Sequence, residues 1–398
     1  MQRESKGGSG SIGIQIGVSR RTAVQRSAAA LAAWFLGRGF LARSQVPPVP
    51  SQLETLPPPA VALIDQYRRE FSVPGLQLAY RRGAQLLYQG CFGEADRMTH
   101  QPVSPDSLFR IASDSKAFTS AAIFKLREAG KLQLEDRVFA PTGILPQFAD
   151  LGEHREWLHQ ITVHQLLTHT AGGWSNDGND PMFEKSGFDH ERLIEWTLRT
   201  HPLQYAPGTH YAYSNFGYCV LGRVIERLSG RRYPEFVHQE ILRPIRIFDM
   251  RIGTHEAAPN EVRYYGQGGE NPYDFPIFRM DSHGGWIATA NDLALFLACL
   301  FSPVDQEGST AILSADSLQL LTTGSVVNPN YACGLAVNRE GNAWHTGSLP
   351  GTTSLMVHTH SKLSWAVVLN TRSPGSEGAA RLDRLMWEVA RQVPAWKV

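Results

Sequence analysis

Apolar and polar positions first fall into a clear rhythm at Pro74. There "PGLQLAYRRGAQLLYQGCFG" alternates on either side of Arg82-Gly83, and this period of two predicts a β-hairpin. The short apolar run "SLFRIAS" (107–113) leads into "SKAFTSAAIFKLREAGKL". In that stretch Phe118, Ala121, Ala122 and Leu126 keep helical spacing, and Gly130 marks a stop. Residues 140–280 read as helices separated by long loops rich in Pro, Gly and aromatics. "TANDLALFLACL" then opens an apolar helix on an Asn/Asp cap. The last hundred residues return to alternation in "YACGLAVN", "NAWHTGS", "TSLMVHTH" and "LSWAVVLNT", and an amphipathic helix follows Ser376. Short joins between these runs imply antiparallel pairing. The expected architecture is α+β: an antiparallel sheet built from both chain ends, flanked by helices, with a mostly helical region inserted over about 120–285. The folded domain is expected over 59–398.

Residues 1–58 read as a tail. Arg20, Arg21 and Arg26 precede the apolar run "AAALAAWFLGRGFLA" (28–42), and a Pro-rich linker follows. A basic region followed by a short apolar segment ending in small residues is the pattern of an export signal, so a periplasmic or secreted location is expected. The run is broken by Arg38 and falls short of the roughly 20 residues a membrane span needs. Its "GRGFLA" imitates a dinucleotide-binding fingerprint, but no βαβ pattern surrounds it.

The 38 basic and 37 acidic side chains leave a net charge of +1, without the basic surplus of a nucleic-acid binder. The four cysteines are far apart, and Cys219 and Cys299 sit in apolar helical patterns that suit buried thiols. His154, His159, His164 and His169 recur every five residues, a step that turns a helix by about 500° and scatters them around it. His358-x-His360 shares a strand face but has no third ligand nearby. Neither a metal nor a cofactor is expected. Seven Lys against 31 Arg make each lysine conspicuous where chemistry needs an amine.

One such lysine is Lys116 in "FRIASDSKAFTS", where Ser113 and Lys116 form S-x-x-K at a strand-to-helix junction. Positions i and i+3 of a helix meet on one face. A serine hydroxyl becomes a nucleophile when a base takes its proton, and a lysine can be that base when burial destabilises its ammonium. Further along, "PGTHYAYSNFGY" carries Tyr213-Ser214-Asn215 just before a helix, and "AWHTGSLPG" carries His345-Thr346-Gly347 on a strand before a tight turn. There is no G-x-S-x-G elbow.

In this order and spacing, the three motifs resemble the serine β-lactamase and penicillin-binding family. That family includes class C β-lactamases, D-alanyl-D-alanine carboxypeptidases of the same branch and family VIII carboxylesterases. The likeness extends through "ITVHQLLTHTAG", "HGGWIATANDLALFL" and "HTGSLPG" and covers about residues 60–395. The resemblance implies a serine hydrolase in which Ser113 forms an acyl-enzyme, with Lys116 and Tyr213 handling protons and the choice of base between them left open. It further implies that Asn215 binds substrate or orients Lys116. The strand of His345, Thr346 and Gly347 would line the far wall, and the backbone N–H groups of Ser113 and Ser348 would form an oxyanion hole. Where most β-lactamases have Lys-Thr-Gly, with a cation for the substrate carboxylate, this chain has His345, whose neutral imidazole attracts an anion weakly. His-Thr-Gly occurs in carboxypeptidase-like relatives, and many family VIII esterases carry Trp-Gly-Gly. The substrates implied are D-aminoacyl peptides, β-lactam amides or small carboxylic esters. A carboxylesterase, an acyltransferase and a penicillin-binding sensor acylated without turnover are the alternatives. Trp174, Phe183, Tyr205, Tyr264, Tyr265, Tyr273 and Trp286 are candidates for an apolar acyl pocket.

Overall fold

The computed structural model describes residues 54–302, 311–372 and 375–398. The basic cluster and apolar run of the N-terminal tail, with the export signal expected there, lie outside the described residues. The predicted hairpin is strands β1 (Gly75–Arg82) and β2 (Gln85–Asp96), which turn through Gly83 at φ 55°. Two-residue β3 (Gln101–Pro102) completes the N-terminal contribution. Next come β4 (Phe109–Arg110), β5 (Arg251–Ile252) and β6 (Trp286–Ala288), which form a small antiparallel sheet in the order β4-β6-β5. The C-terminal part supplies β7 (Ala336–Val337), β8 (Ala343–Leu349), β9 (Thr352–His358) and β10 (Leu363–Leu369).

The main sheet has seven strands in the order β3-β2-β1-β10-β9-β8-β7. Antiparallel pairing of β1 with β10, Leu76 opposite Leu369 through Arg82 opposite Leu363, joins the two chain ends in its centre. Both central strands are buried on both faces, and alternation assigns a different partner to each face. Leu76, Leu78 and Tyr80 with Leu363, Trp365, Val367 and Leu369 pack under helix α1 (Pro58–Glu70) and the C-terminal helix Gly375–Arg391. The Tyr80 hydroxyl there donates to the Met386 carbonyl at 2.8 Å. The opposite face presents Ala79, Ala366, Val368 and Met356 to the main core. Small side chains on this face let the helix Ala290–Leu300 lie close against β1 and β10.

That helix starts differently from the sequence expectation. Its cap is Thr289, whose hydroxyl accepts from Asp292 N–H while the Asp292 carboxylate accepts from Thr289 N–H; Asn291 and Asp292 lie inside the first turn. A Thr three residues ahead of an acidic side chain closes a capping box, which satisfies two donors instead of one. Helix α2 (Ser115–Glu128) runs through the main core with Phe118 stacked on Phe296 at 3.9 Å, and it ends just ahead of Gly130 at φ 68°. Burying each of these rings contributes on the order of 2–3 kcal/mol. The four cysteines form no disulfide, and Cys219, Cys299 and Cys333 are buried. No described helix is long and apolar enough to cross a membrane.

Candidate active site

The predicted strand-to-helix junction is sharper than a plain turn. After β4 the chain passes through a 3₁₀ turn, Ala112–Asp114, and enters α2 directly. Ala112 is buried at φ 45°, a left-handed conformation that costs a non-glycine residue on the order of 1–2 kcal/mol. Neighbours on both sides hold it there. Ile111 N–H donates to the Trp286 carbonyl at 3.0 Å. The Thr352 and Ser354 hydroxyls of β9 donate to the Arg110 and Ile111 carbonyls, each at 2.7 Å. Strand β8 also presses against this segment through Gly347, where a side chain would collide with the Ile111 carbonyl and the Ser354 hydroxyl. Ser113 is left partly exposed among buried neighbours, on the floor of a cleft of about 530 Å³.

One turn on, Lys116 is fully buried, with Nζ 3.1 Å from Ser113 Oγ, 2.6 Å from Asn215 Oδ1 and 3.0 Å from the His283 carbonyl. Burial pulls its pKa down to about 7, against the opposing pull of Asp180 and Asp114. An ammonium can donate to all three oxygens. A neutral amine has two N–H groups, which match Asn215 and His283, and its lone pair then faces the Ser113 hydroxyl.

Tyr213 comes from the loop before the helix Asn215–Ser229, whose cap is the Ser214 hydroxyl accepting from Gly217 N–H at 3.0 Å. The Tyr213 hydroxyl is hydrogen-bonded to Ser113, and its ring centroid lies 4.8 Å from Lys116 Nζ. Burial drives its pKa far above the ordinary phenol value, so it stays protonated. Asn215 faces inward as an orienting group: it receives Lys116 on Oδ1 and donates from Nδ2 to Asp180 Oδ2 at 2.7 Å. Asp180 also accepts from Met182 N–H at 2.9 Å.

Strand β8 splits the third motif between its two faces. Thr346 and Ser348 are exposed, and Ser348 lines the cleft. Gly347 meets the segment just before Ser113 at the Ile111 carbonyl, and the His345 imidazole is buried away from the cleft. His345 belongs to a one-way hydrogen-bond chain. Ser214 N–H donates to His169 Nδ1 at 3.1 Å, which leaves the His169 proton on Nε2, facing Tyr331 OH at 3.2 Å. Tyr331 OH then donates to His345 Nε2 at 3.1 Å, and His345 Nδ1–H donates to the Thr346 carbonyl at 2.8 Å. Burial holds the His169 pKa well below its ordinary value, consistent with a neutral link. The chain ties the Tyr213 loop to β8, two walls of one site.

Sequence motifs bring Ser113, Lys116, Tyr213 and Asn215 together, and Ser348 joins them in the cleft. They do not reveal Asp180, Tyr331 or Ser354, which lie outside those motifs, and they give no role to His169, although it stands in "ITVHQLLTHTAG". Among the seven aromatics expected at an acyl pocket, Phe183 lines the cleft, whereas Trp174, Tyr264 and Trp286 are buried in the core.

A part-exposed serine hydrogen-bonded to both a buried lysine and a phenol is the arrangement that serine acyl transfer requires. Comparison with known proteins agrees. The Beta-lactamase family profile matches residues 60–390. Esterase EstB of Burkholderia gladioli is 32% identical over 216 residues, 51% of this chain and 53% of the esterase. The match thus spans about half of that relative's length. Penicillin-binding protein 4* of Bacillus subtilis is 25% identical over 319 residues, 74% of this chain and 67% of its own. The crystal structure of D-amino acid amidase from Ochrobactrum anthropi SV3 shares the fold, with a TM-score of 0.68 at 23% identity over 83% of this chain and 97% of the amidase. This chain belongs to the β-lactamase family.

Proposed function

We propose that the protein is a serine hydrolase that forms an acyl-enzyme at Ser113, acting on small carboxylic esters or on D-aminoacyl or β-lactam amides. The observation that carries this reading is Lys116, buried, 3.1 Å from Ser113 Oγ and titrating near 7. Neutral Lys116 takes the Ser113 proton as Oγ attacks the carbonyl. Tyr213, held protonated, is the relay and not the base: it gives its proton to the leaving group as the one taken up by Lys116 replaces it, so that both end the step as they began. Asn215 fixes Lys116, and Asp180 fixes Asn215. The Ser113 and Ser348 N–H groups receive the oxyanion, at about 3–4 kcal/mol per donor. Thr346, on the exposed face of β8, lines the approach, while Gly347 and His345 hold that strand in place. Water then cleaves the acyl-enzyme. Among these substrates, esters are favoured by the relative with 32% identity, an esterase.

The test is labelling with an activated phosphonate and hydrolysis of p-nitrophenyl butyrate, both read against Ser113→Ala. Loss of the label and of hydrolysis is expected; hydrolysis at equal rates would rule the assignment out. Export is proposed from Arg20, Arg21, Arg26 and the apolar run at 28–42. Finding the full-length chain confined to the cytoplasmic fraction would refute it.

A further inference from the structure

We propose that Asp114, the residue after the nucleophile, is carried as an uncharged carboxylic acid in the working enzyme and acts through Lys116 as a positioning residue. Its neutrality leaves Asp180 as the anion that faces the amine among the described residues. The inference deepens the acyl-hydrolase reading above and rests on it.

Asp114 closes the 3₁₀ turn that carries Ser113, and its side chain is fully buried and does not line the cleft. Neither carboxyl oxygen has a hydrogen-bond partner among the described residues. The donors nearest to it are spent elsewhere. His345 Nδ1 stands 3.6 Å from Asp114 Oδ1, beyond hydrogen-bond distance, and gives its proton to the Thr346 carbonyl at 2.8 Å. The Ser354 hydroxyl gives its own to the Ile111 carbonyl at 2.7 Å, and Lys116 Nζ faces Ser113, Asn215 and the His283 carbonyl. A carboxylate taken out of water with no donor to replace the lost hydration is far more costly than the neutral acid, so the side chain keeps its proton. Burial accordingly pushes the Asp114 carboxyl up from its ordinary range, and His345, Ser354 and Lys116 return part of the shift.

The titratable groups that face Asp114 are His345 from β8, Lys116 from α2 and Tyr213 from the loop before the helix Asn215–Ser229. None holds a fixed positive charge against it. His345 is uncharged in its hydrogen-bond chain, Tyr213 is a neutral phenol, and Lys116 gives up its charge near pH 7. A permanent cation at position 345, as in the usual third motif, would draw the proton off; this imidazole does not. Asp180 has the opposite setting, because two N–H groups receive its charge, Asn215 Nδ2 at 2.7 Å and Met182 N at 2.9 Å. The pull of Asp114 on the Lys116 ammonium belongs to its ionised form, which would set a second anion beside the amine and take neutral base away. The acid form exerts no such pull.

Three measurements test this. Infrared difference spectra of wild type against Asp114→Asn near neutral pH are expected to show the carbonyl band of a protonated carboxyl, present in wild type and lost in the variant. Loss of a carboxylate band instead would overturn the proposal. In chemical denaturation, the folding constant of Asp114→Asn relative to wild type is expected to rise by up to about tenfold per pH unit between about pH 4 and about pH 7. The unfolded aspartate releases its proton in that window and the native one keeps it. A ratio that stays flat, or falls with pH as it does for a partnered carboxylate, would overturn the proposal. Asp114→Leu, which keeps the branched shape without polar atoms, should fold and follow the same curve; failure of both variants to fold would show that an anion is needed there and would equally overturn it. Finally, in hydrolysis of p-nitrophenyl butyrate, Asp114→Asn should leave the rising limb of the pH profile where it stands in wild type. A limb lowered by about one unit, the effect of removing a facing carboxylate, would overturn the assignment. The first two measurements need no turnover, so they decide the state of Asp114 even if esterolysis survives Ser113→Ala and the hydrolase reading fails by itself.

Discussion

Asp180→Asn probes the electrostatics that make Lys116 usable as a base. An unperturbed lysine has roughly one molecule in three thousand neutral at pH 7, whereas one titrating near 7 has about half, a gain of about 10³ in competent base. Burial produces that gain, and Asp180 is the strongest influence opposing it. The carboxylate stands one side chain away, because Asn215 bonds Lys116 on one side and Asp180 on the other. Removing a charge at that remove, in a partly buried site, is worth on the order of 1–2 kcal/mol, or roughly one pH unit. The sign follows from which form is active. Only the neutral amine accepts the serine proton, so kcat/KM rises with pH through the Lys116 pKa, near 7 in wild type. Without Asp180 the ammonium is less stabilised and the rising limb moves to lower pH. At pH 6 wild type should run at about a tenth of its plateau and the variant at about half of its own. The plateau itself should drop, because an asparagine has one acceptor for the two donors that Met182 and Asn215 bring. The assay is p-nitrophenyl butyrate hydrolysis from about pH 5 to about pH 9 at constant ionic strength. A limb that stays put, or moves upward, would refute the assignment of Lys116 as the titrating base.

Two further outcomes follow from the same geometry. Lys116→Met should abolish turnover yet stabilise the fold at pH 7. Burying the amine disfavours its protonated form by up to about 5 kcal/mol, and about 3 kcal/mol of lost hydrogen bonds to Ser113, Asn215 and His283 offset part of the relief. The folded-state pKa lies below the unfolded one, so wild type gains stability as pH rises from about 7 toward 10.5. The variant's advantage in chemical denaturation must therefore shrink across that window. Gly347→Ala should lower kcat/KM by on the order of 10²-fold and reduce Tm. The added methyl drives β8 off the Ile111 carbonyl, and a shift of about 1 Å in a reacting group has that scale of effect. An unchanged rate would show that β8 does not set the nucleophile's position.

The sequence was most legible where one period ran unbroken. Strands β1, β2, β8, β9 and β10 and helix α2 stand where alternation or helical spacing puts them, because each buries a face that periodicity alone defines. Ser113, Lys116, Tyr213 and Asn215 are legible for another reason: each sits in a short motif at a helix start, although the fold has to bring Lys116 to Asn215 across 99 residues. The N-cap at Thr289 was missed because two other good capping residues follow it, and only the reciprocal bond with Asp292 decides between them. His345 was misleading because its motif position does not tell which way the side chain turns. That depends on Tyr331 and His169, 14 and 176 residues upstream, which offer a buried imidazole partners on the inner side. Asp180 sits in a loop without periodicity, so its contact with Asn215 arises only when the fold brings that loop to the cleft.

The nucleophile's setting shows why no single motif could have specified it. Ser113 is presented by a left-handed Ala112, a conformation this residue would leave if released. Four remote groups prevent that: the Trp286 carbonyl of β6, the Thr352 and Ser354 hydroxyls of β9, and the bare backbone of Gly347 on β8. Three of these belong to the C-terminal strands, more than 230 residues away in sequence. The hairpin β8–β9 thus does two jobs with its two edges of side chains. It clamps the strained turn beneath Ser113, and it presents Ser348 to the cleft above. Building the sheet from both chain ends makes this possible, since pairing β1 with β10 in the centre fixes where β9 and then β8 must lie. Strain at Ala112 can persist only while that sheet is complete, so the geometry needed for acyl transfer forms only once the last strands have joined the first.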